Sequence, residues 1–278
     1  MRSGTPMNRL VQGDVGSGKT MVAAYGAWLA AKNGRQCALM APTELLAEQH
    51  FRSLAPLLEQ AGLRVGLLTG AVKGRARKEL LAALAAGELD LLIGTHALLS
   101  EGVDYAELGL VITDEQHRFG VAQRADLAAK GDHPHILVMS ATPIPRTLAL
   151  ILYGDLDVSV IDQLPPGRQP VQTFAVSGGY HQRVYSFIRK LVGEGRQAYI
   201  VCPAVEEGED EGAGLKAATT YAQGLQTEVF PDLRVGLVHG KMKPREKDAV
   251  MTAFAGRELD VLVSTTVIEV GVDAVSYT

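Results

Sequence analysis

Short runs that are apolar at nearly every position alternate along this chain with longer amphipathic ones. CALMAP (37–42), RVGLLT (64–69), LDLLIGT (89–95), LGLVITDE (108–115) and HILVMSAT (135–142) read as strands, and residues 9–12 can end another. Apolar side chains on both faces are what a buried parallel strand requires. Helices are predicted over 21–32, 43–60, 74–86, 121–130 and 145–153. Strand–helix alternation predicts an α/β fold, a parallel sheet with helices on both faces. Ligands of such sheets bind at the C-terminal edge of the strands.

DQLPPGRQP (162–170), with three prolines and a glycine, reads as a linker between domains at 1–161 and 171–278. The alternation then resumes. Strands are predicted at VQTFAV (171–176), QAYIVCP (197–203), RVGLVHG (234–240) and DVLVSTT (260–266), and helices over 181–192, 215–228 and 244–254. EEGEDEG (206–212) is acidic and aperiodic and reads as a solvated loop. No simple sequence repeat is seen to link the halves. Four strands are few for an α/β layer, so the second domain is expected to be C-terminally incomplete.

The candidate chemistry lies at predicted strand ends. GDVGSGKT (13–20) fits G-x-x-x-x-G-K-[ST] between a strand and an Ala-rich helix. Gly13, Gly16 and Gly18 let the backbone close around an anion, and the N–H groups that follow face it. Ser17 completes the loop. Lys19 would reach the β- and γ-phosphates, and the Thr20 hydroxyl would ligate Mg²⁺. The loop alone says nucleotide, not reaction. ITDEQH (112–117) ends a strand in two carboxylates: Asp114 to hold Mg²⁺, Glu115 to orient or activate water. An acid pair at a strand end is common by itself; beside a phosphate loop it gains meaning. His117 and Arg118 are either surface residues or a link to the γ-phosphate or DNA. In SATPIPRT (140–147), Ser140 and Thr142 can bond Glu115 or His117 and couple the nucleotide site to a neighbouring surface, or form a turn.

Bulk properties change the picture little. The 278 residues are 47% hydrophobic and 21% charged, enough for a core. A net charge of −4 requires any nucleic-acid surface to be local. Cys37 and Cys202 lie in apolar runs and read as small hydrophobes. No apolar run approaches 18 residues and no leader pattern opens the chain, so a reducing cytoplasm is expected.

GDVGSGKT, APTELLAEQH (41–50), GTHAL (94–98), DEQHRFG (114–120), SATPIPRT, LPPGR (164–168), HGKMKP (239–244) and STTVIEVGVD (264–273) together resemble the superfamily 2 helicases. Among these, the resemblance is to the RecG-type ATP-dependent branched-DNA helicases of bacteria, over residues 7–273. It implies two RecA-like domains in tandem and ATP and Mg²⁺ as cofactors. It also implies branched or double-stranded DNA as partner, in repair and recombination near the nucleoid. A monomer is favoured. The matching positions imply that Gly13, Gly16, Ser17, Gly18, Lys19, Thr20 and Asp273 hold nucleotide, and that Asp114 and Glu115 drive hydrolysis. They imply DNA-backbone contacts at Pro42, Thr43, Gly70, Thr95, His96, Thr265 and Thr266. Glu269 and Gly271 belong to the same second-domain motif, which faces both ATP and DNA in the family.

The sequence also departs from the family. The wedge domain, the adenine-reading glutamine segment and the arginine motif Q-x-x-G-R-x-G-R do not occur in these 278 residues, and AVSYT ends the chain unusually. Arg146 and Arg168 lie outside the matching context. An arginine finger contributes about 10³–10⁵ in rate, so these residues alone are expected to bind ATP with little turnover. Three other readings stay open: the translocase motor of a transcription-repair coupling factor, a phosphate-loop kinase, and a non-catalytic ATP- or DNA-binding module.

Overall fold

The computed structural model describes residues 5–114, 126–141, 156–163, 171–202 and 211–265, the side chains of 211–217, 244, 245 and 248 excepted. The chain divides into two compact units, Met1–Arg168 and Gln169–Ser276.

The first unit is built on seven strands: β1 (Asn8–Gly13), β2 (Gln36–Met40), β3 (Val65–Leu68), β4 (Leu91–Gly94), β5 (Leu108–Thr113), β6 (His135–Ser140) and β7 (Asp157–Ile161). They form one sheet in the order β3-β4-β2-β5-β6-β1-β7, and every pairing is parallel. All residues of β2 and β4 are buried; apart from Gln36 they are apolar throughout, as strands covered on both faces require. Helices α1 (Lys19–Lys32), α2 (Glu44–Gln60) and α3 (Gly74–Ala85) connect strands.

Because all strands point the same way, their C-terminal ends share one edge. Gln12 of β1 lies opposite Ser140 of β6. Val138 of β6 lies opposite Thr113 of β5, and Thr113 opposite Met40 of β2. Met40 lies opposite Gly94 of β4, and Gly94 opposite Leu68 of β3. The residues that follow these strand ends therefore form one row.

The second unit contains β8 (Ala198–Cys202), β9 (Val235–Val238) and β10 (Val261–Thr265), a parallel sheet in the order β8-β10-β9. Helices α4 (His181–Gly193), α5 (Glu211–Gly224) and α6 (Pro244–Ala255) accompany it. Phe230, fully buried with Leu225, Val261 and Val263, centres the core. Tyr185 of α4 meets its ring edge-on at 5.6 Å.

Several expectations need correction. Residues 171–176 form no strand, and Val171, Phe174 and Val176 are 79%, 78% and 56% exposed. Alternation in VQTFAV suits a strand, but a strand persists only where a neighbour pairs its N–H and C=O groups, and β8, β9 and β10 pair among themselves. In place of one helix over 215–228, α5 begins at Glu211 and gives way to a π-helical turn, Leu225–Val229. Glu211 and Gly212 thus leave the expected acidic loop. Strand β7 was not expected. Its DVSVI sequence is short and half polar, and Arg9 of β1 secures it with bonds to Asp157 (2.9 Å) and Ser159 (2.7 Å). The predicted helix 145–153 lies outside the described residues, as does most of 121–130.

The halves do contain a repeat. LRVGL occurs at 63–67 and 233–237, and ELD at 88–90 and 258–260. In each unit the arginine's backbone N–H donates to the aspartate 26 residues on, at 2.7 Å for Arg64–Asp90 and 2.8 Å for Arg234–Asp260. Each guanidinium also donates to the carbonyl three residues before that aspartate, of Gly87 or of Arg257. Gly87 and Arg257 share a left-handed backbone, φ 71° and 59°. Strand–helix–strand β3-α3-β4 is thus matched by β9-α6-β10.

Candidate functional site

The loop that closes β1 onto α1 is shaped for an anion. A Cβ on Gly13 would lie 2.6 Å from Ser17 Oγ and 3.0 Å from Ile161 Cβ, so only glycine fits between β7 and the loop. Gly16 and Gly18 have φ of 79° and 94°, which side-chain-bearing residues rarely adopt. Gly18 caps α1 with no side chain to accept from the first turn, and no acidic residue stands in that turn. First-turn N–H groups and the positive end of the helix dipole therefore face an incoming anion. Ser17 Oγ is buried and has no hydrogen-bond partner among the described residues. Lys19 is buried, and its Nζ donates to the carbonyls of Gly13 (2.7 Å) and Asp14 (2.8 Å). Thr20 follows in the first turn. A glycine cradle, an orphaned hydroxyl and an ammonium at a helix N-terminus fit a polyphosphate.

Asp114 follows β5 on the same edge. One strand, β6, separates β5 from β1, so the two strand ends are about 10 Å apart. The Asp114 backbone N–H donates to Met40 O at 3.0 Å. Its Oδ2 accepts from His50 Nε2 at 2.7 Å, with both side chains nearly buried. Beside it, Thr113 Oγ1 is buried and without a partner among the described residues. Ser140 is buried at the end of β6, between these strands. A carboxylate, with hydroxyls at the same edge, is the hard oxygen set that Mg²⁺ prefers. Glu115, His117 and Thr142 lie outside the described residues.

The expected DNA residues of the first unit continue the row. Thr43 caps α2, its hydroxyl accepting from Leu46 N at 3.3 Å, directly after Pro42 and the end of β2. Gly70 follows β3 and is exposed; a Cβ there would lie 2.8 Å from Glu44 Oε1. Thr95 is buried and caps the short turn His96–Leu99, its hydroxyl accepting from Ala97 N at 3.5 Å. His96 is exposed. The structure thus gives both threonine hydroxyls a capping role. In the second unit, Thr265 is the largely buried last residue of β10, opposite Cys202. Thr266, Glu269, Gly271 and Asp273 lie outside the described residues.

Cys37 and Cys202 are free, and burial raises both thiols above their ordinary range. Both behave as the hydrophobes the sequence suggests. Sequence reading missed His50. Its signal was available: it stands seven residues after Thr43, two helical turns, on the same side of α2.

Comparison with known proteins agrees with this geometry. The DEAD/DEAH box helicase family matches residues 3–151, and the helicase conserved C-terminal domain matches 182–277. The chain is 53% identical to the ATP-dependent DNA helicase RecG of Synechocystis sp. over 274 residues, 99% of this chain and 33% of that protein. It is 51% identical to RecG of Bacillus subtilis over 279 residues, 100% of this chain and 40% of that protein. A structure of RecG bound to a three-way DNA junction superposes with a TM-score of 0.76 at 46% identity, over 98% of this chain and 35% of that one. The helicase MrfA bound to DNA, at 16% identity and a TM-score of 0.69, shares the fold. The chain spans about a third to two fifths of the length of the curated relatives it matches. Two helicase domains in tandem, a phosphate loop and an acidic strand end on one edge, and likeness to RecG over nearly every residue place the chain in the DEAD/DEAH box helicase family, as a RecG-type member.

Proposed function

We propose that this chain is the motor part of an ATP-dependent helicase or translocase that acts on branched or double-stranded DNA in recombination and repair. One observation carries the reading. The phosphate loop after β1, Asp114 after β5 and Ser140 as the last residue of β6 stand at the ends of adjacent strands of one parallel sheet, where nucleotide binds in such sheets.

In this reading Lys19 leaves the loop carbonyls for the β- and γ-phosphates. Gly13, Gly16, Ser17 and Gly18 enclose the phosphates, and Thr20 with Asp114 holds Mg²⁺. Mg²⁺ held there would neutralise charge on the phosphate oxygens. Glu115 orients the attacking water, and the family resemblance assigns a nucleotide role to Asp273. His117, Ser140 and Thr142 couple hydrolysis to DNA. Pro42, Thr43, Gly70, Thr95, His96, Thr265 and Thr266 grip DNA phosphates. Phosphate contacts position a protein without reading sequence, which suits an enzyme that recognises branch shape. RecG itself has been seen on a three-way junction. No helix among the described residues is long and apolar enough to cross a membrane. Likeness to bacterial RecG proteins is what supports a place in the bacterial cytoplasm, at the nucleoid.

Titration with a fluorescent ATP analogue in Mg²⁺ tests the reading. Lys19→Ala is expected to weaken binding at least tenfold while circular dichroism stays unchanged. Equal affinities would remove the nucleotide assignment. Binding of a forked duplex, compared with single strands, tests the DNA half.

A further inference from the structure

We infer that His50 is the positioning residue of the Asp114 carboxylate. It sets the direction in which that group meets the metal of a bound Mg-nucleotide. The inference rests on the nucleotide reading above and adds a residue to it.

The geometry is specific. A carboxylate only accepts hydrogen bonds, so His50 Nε2–H donates to Asp114 Oδ2, at 2.7 Å. His50 is 8% exposed and shares the buried face of α2 with apolar residues that include Leu46, Ala47 and Leu54. An apolar residue would fill that space without burying a polar ring. Burying an imidazole is unfavourable unless it is bonded, and this one is bonded to the carboxylate at the end of β5. Asp114 is also held through its main chain, whose N–H donates to Met40 O at the end of β2. Strand β2 thus fixes the backbone of Asp114, and the helix that follows it fixes the carboxylate.

One bonded oxygen turns the other in a defined direction. Partners of this kind orient a metal-binding carboxylate, and their loss typically lowers metal affinity about 10–100-fold. The helix that carries His50 is itself anchored: Thr43 caps it, and Glu44 Oε1 sits where a Cβ on Gly70 would intrude.

The test measures binding of a fluorescent ATP analogue to the 278-residue chain, first in excess EDTA and then as Mg²⁺ is added. His50→Ala is expected to raise the Mg²⁺ concentration for half-maximal effect about tenfold. Its affinity in EDTA should stay within about twofold of the parent. His50→Gln, whose amide nitrogen can replace Nε2, should recover most of the Mg²⁺ response. In an Asp114→Ala background, His50→Ala should change nothing further. An unaltered Mg²⁺ response in His50→Ala overturns the inference. So does an equal loss with and without Mg²⁺ that His50→Gln fails to restore, since that marks a packing role. Lys19→Ala run alongside separates the two levels. If it binds like the parent, the nucleotide reading fails and His50 with it; if it binds weakly while His50→Ala matches the parent, the role of His50 alone is lost.

Discussion

Arg234 donates to both carboxylate oxygens of Asp260, at 2.7 Å and 3.0 Å, and its backbone N–H donates to the same side chain at 2.8 Å. The guanidinium, opposed by partial burial and aided by the backbone N–H, holds the Asp260 carboxyl below its ordinary range. A carboxyl depressed in the folded state adds stability above its unfolded value, near 3.9. That stability is lost as pH falls through the folded value. Urea midpoints of the parent should therefore drop below about pH 4. Asp260→Asn should start lower at pH 7 and lose less over the acid range. Parallel curves for the two proteins would refute the clamp.

The two outer glycines of the phosphate loop should fail differently. Gly13→Ala puts a methyl 2.6 Å from Ser17 Oγ and against Ile161, so the loop must move. Nucleotide affinity is expected to fall about tenfold, or 1.4 kcal/mol. Gly18→Ala meets nothing within 4 Å but inherits φ of 94°, which costs about 1–2 kcal/mol for a residue with a Cβ. Its effect should appear in the melting temperature. Calorimetry of both variants beside the nucleotide titration separates the two.

Lys73 and Lys78 are exposed at the start of α3, close after Gly70. Arg75 between them is engaged with Glu79 at 2.6 Å. If this end of α3 tracks DNA phosphates, the double variant Lys73→Ala/Lys78→Ala should bind every DNA sequence more weakly. It should also flatten the slope of log affinity against log salt by about 2. An unchanged slope would make the run an ordinary solvated helix face.

Gln36 is 4% exposed and ties three chain segments together. Its Nε2 donates to the carbonyls of Leu84 and Leu89, and its Oε1 accepts from Glu107 N. Gln36→Ala leaves those backbone groups without this partner, at a cost of about 1–3 kcal/mol for each one that stays buried and unpaired. Denaturant unfolding should show the loss in the first unit. Gln197 plays the matching part in the second unit, donating to Phe254 and Leu259 carbonyls, and its truncation should leave the first unit untouched.

The first unit was legible because its strands are buried on both faces and announce themselves by composition. CALMAP and LDLLIGT can be little else. What escaped was of three kinds. DVSVI is an edge strand whose polar residues bond Arg9, so it carries no apolar signature. VQTFAV has the signature but finds no partner strand among the described residues, and pairing is not a local property. The phosphate loop was legible because its glycine spacing has few other uses, and Asp114 because a strand-end acid, common by itself, gains meaning beside that loop. His50 was not, because a histidine inside an amphipathic helix acquires its meaning from Asp114, 64 residues away. The internal repeat was hidden by the helices between its matching ends: RARKELLAALA and REKDAVMTAFA share little beyond shape.

Strand β1 is paired with β6 on one side and β7 on the other, so Gln12 meets Ser140 and Gly13 meets Ile161. During synthesis, the segment that precedes the phosphate loop therefore waits for about 150 further residues before both its neighbours exist. Strands β2, β3, β4 and β5 can pair with one another well before that. Long-range parallel pairing is slow, and an unpaired apolar strand invites association with other chains. A ribosome-bound intermediate stalled before residue 135 should accordingly hold a folded four-stranded sheet and an exposed β1. The nucleotide loop is thus made well before the strands that hold it in place.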